Sequence, residues 1–202
     1  MARSTAPSSL GIAHGWAGLL YVALRWHEVS GCSLPSNIEE RLAELARLGR
    51  AKGDSIVWMS HNSMGGAKSY YMPGWCNGTA GMVFLWLRAH AVLTGRKYLE
   101  LAQRSGRDVL NTDGGNASLC CGLCGQAYAL LALYRSTGDK EWLIGAERAA
   151  HLASKRFHKY TGPHRASLYK GELALLTLRE DIRHPMESAM PFFEPEGWAW
   201  GS

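Results

Sequence analysis

Ala13-His14-Gly15-Trp16-Ala17-Gly18, Cys76-Asn77-Gly78-Thr79-Ala80-Gly81, Cys120-Cys121-Gly122-Leu123-Cys124-Gly125 and Tyr169-Lys170-Gly171-Glu172-Leu173-Ala174 share one frame. Aligned on the first glycine, each has two variable residues, then Gly-x-x-small, then an apolar run: Leu19–Leu24, Met82–Leu87, Ala127–Leu133 and Leu175–Leu178. The runs are apolar nearly all round, so they predict helices buried on most faces. Between them, 37–50, 98–110 and 141–157 have the striped pattern of amphipathic helices, with Ile38, Leu42, Leu45 and Leu48 on one face of the first. Thr94-Gly95 and Ser136-Thr137-Gly138-Asp139 mark turns, the glycines suited to close a helix and the aspartate to cap the next. No stretch alternates with period two for long enough to predict a sheet.

Inner buried helices alternating with outer amphipathic ones predict an all-α fold, an α/α toroid of helical hairpins, with small residues letting the inner helix ends crowd at the centre. An α-solenoid is the alternative, but its repeats would be more evenly spaced than these glycines, which lie 63, 44 and 49 residues apart. The longest interval holds 53–74, an irregular Gly-, Ser- and Lys-containing loop of the kind that is functional or disordered. Residues 10–202 form one repeat-bearing unit. Residues 1–9, Ser- and Ala-rich and without repeat character, are expected to be a disordered or arbitrary beginning.

Composition narrows the function. The 202 residues are 47% hydrophobic and 19% charged, which excludes a disordered chain. The net charge of +5 is spread over Arg41, Arg47, Arg50, Lys52, Arg104 and Arg107 rather than gathered into an aromatic-flanked stripe, so no nucleic-acid partner is expected. Residues 10–26 are interrupted by His14 and Arg25, too broken for a membrane span or a signal segment. Five cysteines, an odd number with two adjacent, argue for reduced thiols and a cytoplasmic protein over a disulfide framework.

The pair of residues before each repeat glycine lies at an inner helix N-terminus, and these positions hold His14, Cys76, Cys120, Cys121 and Lys170. Exposed N–H groups and the helix dipole there favour thiolates. Three cysteines converging from two repeats suit Zn²⁺, with a fourth position open. Cys124, one turn further on, is expected in the core, and Cys32 in a loop. His27, His90, His151, His158, His164 and His184 lack the repeat context.

These residues resemble the lanthipeptide cyclases and their LanC-like relatives. The resemblance rests on Gly11-Ile12-Ala13-His14-Gly15, Trp75-Cys76-Asn77-Gly78, Cys120-Cys121-Gly122, Ser167-Leu168-Tyr169-Lys170-Gly171 and the stretch 190–198. It covers almost the whole chain after residue 10 and implies about the last four of seven hairpins, a partial barrel. It implies Cys76 and Cys120 as zinc ligands, with Cys121 as a third thiolate where most members have histidine. It also implies Michael addition of a peptide cysteine to dehydroalanine or dehydrobutyrine, closing a thioether, with His14 as the acid/base that protonates the α-carbon. LanC-like members instead add a thiol such as glutathione. The chain departs from the pattern at Met72 and Asn77, where members often carry arginine and tyrosine. The carboxylate-bearing earlier hairpins are also missing.

Two functional expectations therefore stand together. One is a zinc-dependent lanthionine-forming cyclase or LanC-like thiol-adding enzyme acting on a dehydrated Cys-containing peptide. The other is a non-catalytic, zinc-stabilised half-toroid that binds such peptides, or a split or truncated cyclase fragment. A half-ring would expose the flanks of its end helices, so the expected partner is an N-terminal half, a fused dehydratase or kinase domain, or a dimer mate. A sugar-acting α/α barrel would need paired carboxylates where these repeats hold Cys and His.

Overall fold

The computed structural model describes residues 9–61, 70–113, 115–159 and 161–194. Most of the N-terminal segment, the middle of the 53–74 loop and the end of the 190–198 stretch lie outside the described residues. Among those described, the order is α1 (Trp16–Ser30), α2 (Ile38–Arg47), β1 (Arg50–Lys52), β2 (Ser55–Val57), α3 (Thr79–Leu93), α4 (Arg96–Leu110), α5 (Leu123–Thr137), α6 (Lys140–His158) and α7 (Leu173–Arg183). Each repeat motif opens α1, α3, α5 or α7, and each amphipathic stretch forms α2, α4 or α6. The inner four lie side by side in chain order, and each amphipathic helix packs on the inner helix before it. The result is an arc of helical hairpins, a partial α/α toroid. The β1–β2 hairpin was not legible in the sequence: its antiparallel strands, with Arg50 opposite Val57 and Lys52 opposite Ser55, are too short to display a period.

The repeat glycine has a specific physical cause. No side chain caps α1, α3 or α5. Instead the chain folds back, and the residue after the glycine donates its N–H to the carbonyl seven residues earlier: Trp16 to Ser9 (3.0 Å), Thr79 to Met72 (3.1 Å), Leu123 to Asn116 (3.0 Å) and Glu172 to Arg165 (2.8 Å). These bonds satisfy helix-start donors that would otherwise be orphaned. They also bring the loop against the glycine. A Cβ there would stand 2.2 Å from the Ser9 carbonyl at Gly15, 2.1 Å from Met72 at Gly78, 2.3 Å from Asn116 at Gly122 and 2.2 Å from Arg165 at Gly171. The second glycines Gly18, Gly81 and Gly125 meet the carbonyls of Ile12, Trp75 and Leu119 at 2.1, 2.2 and 2.2 Å. The small residues thus admit each motif's own loop, and the second glycines also admit the neighbouring motif: a Cβ on Gly81 would stand 2.8 Å from the Ile12 side chain and one on Gly125 3.1 Å from that of Trp75.

Burial separates the middle of the arc from its edges. α3 and α5 are covered nearly all round, as expected. On α1, Leu19, Val22, Trp26 and Val29 form an exposed stripe, each about 60% accessible, and on α7 Leu173 and Leu176 are exposed. An end helix has an inner-ring neighbour on one side only.

The turns follow their residues with one exception. Gly138 closes α5 in the left-handed region (φ 71°), and the Asp139 carboxylate accepts the Glu141 N–H at 3.0 Å to cap α6. At the end of α3, however, Thr94 rather than Gly95 takes the left-handed conformation, with φ 52°. A β-branched residue is strained there. Thr94→Gly is expected to raise stability by about 1 kcal/mol in urea unfolding, since the turn needs no side chain and glycine removes the penalty.

Candidate metal centre

The fold-back loops set the inner-helix starts along one rim. At the position two before each repeat glycine, the N–H of one motif donates to the carbonyl of the next: Ala13 to Cys76 (2.9 Å), Cys76 to Cys120 (3.0 Å) and Cys120 to Tyr169 (3.0 Å). Side chains at the next position reach back toward the preceding motif. The Asn77 carbonyl oxygen accepts from the Gly11 N–H and the Ser9 hydroxyl, both at 3.0 Å. Cys121 Sγ lies 3.2 Å from Cys76 Sγ. Glycines again allow the approach: a Cβ on Gly11 would stand 2.2 Å from Asn77 Oδ1, and one on Gly74 would stand 2.6 Å from the Cys121 backbone. In the first two motifs the repeat thus reaches back to a glycine four residues earlier, where the third and fourth have Ser118 and Ser167.

This geometry brings three thiols together. Cys121 Sγ is 3.5 Å from Cys120 Sγ, and one sulfur from each of Cys76, Cys120 and Cys121 lies within 4.8 Å of the others. Among the described residues this is the only such cluster of metal-ligating groups. All three cysteines are free, Cys76 buried and the other two half-buried. Sulfur ligands at about 2.3 Å around tetrahedral zinc sit about 3.8 Å apart, so the donor set and its spacing fit a zinc ion with one position left for another ligand. Behind it, the Cys121 N–H donates to Ser118 Oγ at 3.3 Å, and Asn116 Oδ1 accepts from both the N–H and the hydroxyl of Ser118.

Electrostatics within the cluster is uneven. Cys121 is pulled well below the ordinary thiol range by its hydrogen bond with Cys120, then by that with Cys76, with the charges of Lys170 and His14 adding to this and burial opposing it. Cys76 is pushed up by its bonds to Cys120 and Cys121, and by burial. Cys120 is also pushed up, chiefly by Cys121. The cause differs from the helix-dipole expectation. The first N–H groups of α3 and α5 are already taken by loop carbonyls, so neighbouring thiols and cations select the charged sulfur.

The other sequence candidates fall as follows. His14 is exposed on the same rim and acts electrostatically on Cys121. Cys124 is fully buried, its thiol pushed up to about 12 by desolvation, and packs in the core. Cys32 is exposed in a loop. Tyr71 and Tyr70, the tyrosines nearest the motif, are not at the thiols: Tyr71 donates to Asp108 on α4, and Tyr70 lies beside His61. Sequence reasoning singled out the 190–198 stretch without showing what its aromatic residues pack against. Phe193 stacks on Tyr21 at 4.7 Å and meets Trp75 and Phe84 edge-on at 5.1 and 5.3 Å. Glu194 pairs with Arg135 and anchors that segment to α5. These packing partners lie far apart in sequence and share no motif.

Comparison with known proteins agrees with this geometry. The family model for lanthionine synthetase C-like proteins matches residues 1–194. The chain is 28% identical over 195 residues to glutathione S-transferase LANCL1 of Danio rerio, covering 92% of this chain and 45% of that protein. It is 26% identical over 204 residues to the LanC-like protein GCL1 of Arabidopsis thaliana, covering 91% of this chain and 43% of the relative. It thus spans less than half the length of either. The solved structure of nisin cyclase superposes with a TM-score of 0.66 at 17% identity, covering 87% of this chain and 51% of the cyclase, and so shares the fold. With matching motifs, a matching arc and a family model that spans nearly the whole chain, this protein belongs to the lanthionine synthetase C-like family.

Proposed function

We propose that this chain catalyses the addition of a thiol to a dehydroamino acid, with lanthionine formation inside a dehydrated Cys-containing peptide as the leading reaction and addition of glutathione as its intermolecular counterpart. The observation that carries this is the convergence of three free thiols, one buried and two half-buried, from two repeat motifs. Cys76, Cys120 and Cys121 would hold Zn²⁺, which when bound supplies the Lewis acidity that makes a thiol a nucleophile at neutral pH. The substrate sulfur bonds to the β-carbon as the double-bond electrons move to the α-carbon and its carbonyl. His14, exposed and carried on the first repeat motif, would return a proton to the α-carbon, and the thiol's own proton would leave to solvent or base. Five unpaired cysteines support a reducing, cytoplasmic setting. The exposed flanks of α1 and α7 support a further hairpin set or a dimer mate as partner.

A second reading, a zinc-stabilised peptide-binding module, is favoured by Asn77, which is engaged with Gly11 and Ser9 rather than facing a substrate. Zinc-loaded protein incubated with a dehydrated Cys-containing peptide separates the two. Catalysis is expected to remove the peptide thiol without changing its mass, or to add one glutathione when that is the thiol supplied. An unchanged thiol in the presence of bound zinc would leave the module.

A further inference from the structure

The fourth motif places Lys170 where the third has Cys121 and the second has Asn77, immediately before the repeat glycine. Side chains at that position reach back to the preceding motif, as Asn77 does to Gly11 and Cys121 does to Cys76. The preceding motif here is that of Cys120, whose N–H is held by the carbonyl of Tyr169, next to Lys170. Lys170 is exposed beside that contact, its backbone N–H donating to Ser167 Oγ at 3.2 Å, and its positive charge is one of the smaller influences favouring thiolate at Cys120 and Cys121.

A three-thiolate site has an electrostatic difficulty. Three thiolates around a dication leave a single net negative charge, and an arriving thiolate makes it double. A nearby cation offsets that added charge. We infer that Lys170 is the positioning residue for the fourth, anionic ligand: its ammonium favours capture of a substrate thiolate at the metal held by Cys76, Cys120 and Cys121. This rests on the zinc reading above and goes beyond it by assigning the residue that draws in the thiol.

Co²⁺ in place of zinc makes the test direct, because its absorption bands report each added sulfur. Cobalt-loaded wild type, K170R, K170Q and K170E are titrated with glutathione and, separately, with neutral imidazole. At low salt, K170Q is expected to bind the thiol about three- to tenfold more weakly, K170E more weakly again, and K170R within about twofold of wild type. The differences should shrink at high salt, where charges near the surface are screened. Imidazole affinity and melting temperature should hold across the series, which a merely structural lysine would not produce. Equal thiol affinity in all four proteins, or a loss in K170R as large as in K170Q, would overturn the role of Lys170. Failure of the wild type to take up one equivalent of cobalt through its cysteines would instead overturn the metal site, and this inference with it.

Discussion

Cys120→Ser is expected to lower zinc affinity by a hundredfold or more, about 3 kcal/mol, measured by competition with a chromogenic chelator. Structural zinc sites gain on the order of 10–16 kcal/mol from their full ligand set, so losing one thiolate of three forfeits a large share. Cys121→Ser should do the same. Cys121→His should retain the metal, because imidazole is also a good zinc ligand. Cys32→Ser, in an exposed loop, should change nothing. Retention of full affinity by Cys120→Ser would remove it from the ligand set.

The thiol electrostatics adds a pH dependence to this result. Without metal, hydrogen bonding within the trio pushes Cys76 and Cys120 up and pulls Cys121 down, so one thiolate and two thiols are expected at neutral pH. Metal needs all three as thiolates, so binding near pH 7 should release about two protons. Affinity then tightens by about a hundredfold per unit rise in pH and is lost as pH falls. Calorimetry in buffers of different ionisation enthalpy counts the protons, and release of none would contradict the picture of one charged and two neutral thiols.

Gly78→Ala is expected to cost about 3 kcal/mol or more in unfolding free energy and most of the metal affinity. Its backbone, φ −140° and ψ −169°, is one that alanine adopts freely, so the cost is purely spatial. The new Cβ would stand 2.1 Å from the Met72 carbonyl oxygen and 2.7 Å from that of Gly74, and backbone atoms cannot rotate away as a side chain can. Relief requires the loop to move, which breaks the Thr79 N–H bond to Met72 and displaces Cys76, two residues before the glycine. Gly31→Ala is the contrast. Gly31 sits at φ 69° with open space around it, so its cost should be the conformational penalty alone, about 1 kcal/mol, with the metal retained. Urea unfolding and metal titration of both variants would distinguish the two causes, and a wild-type Gly78→Ala would refute the fold-back account.

Much of this protein could be read from a line of letters because its signals are local. Apolar runs after Gly-x-x-small, and the apolar stripe of Ile38, Leu42 and Leu45 on a charged helix, depend on spacing within a few turns of helix. They suffice for the hairpin order, the inner and outer roles of the helices, and the residues before each repeat glycine that include Cys76, Cys120 and Cys121. The brief β1–β2 hairpin was not legible in the same way, and the exposed flank of α1, expected of a half-ring, could not be assigned to particular residues. Leu19, Val22, Trp26 and Val29 look like any buried run until the number of neighbours around α1 is known.

The sequence by itself determined the all-α repeat, the family likeness and the short list of chemically able residues. Only the tertiary structure decided that Cys76 and Cys121 meet at 3.2 Å, that the Cys120 N–H meets the Tyr169 carbonyl, that Asn77 turns to Gly11, and that the repeat glycines make room for carbonyls six residues behind them. The reason is the separation along the chain. Motifs 44 to 63 residues apart are brought into register by helix packing and by the rim of backbone bonds from Ala13 through Cys76 and Cys120 to Tyr169, and no local periodicity encodes a register set across that distance.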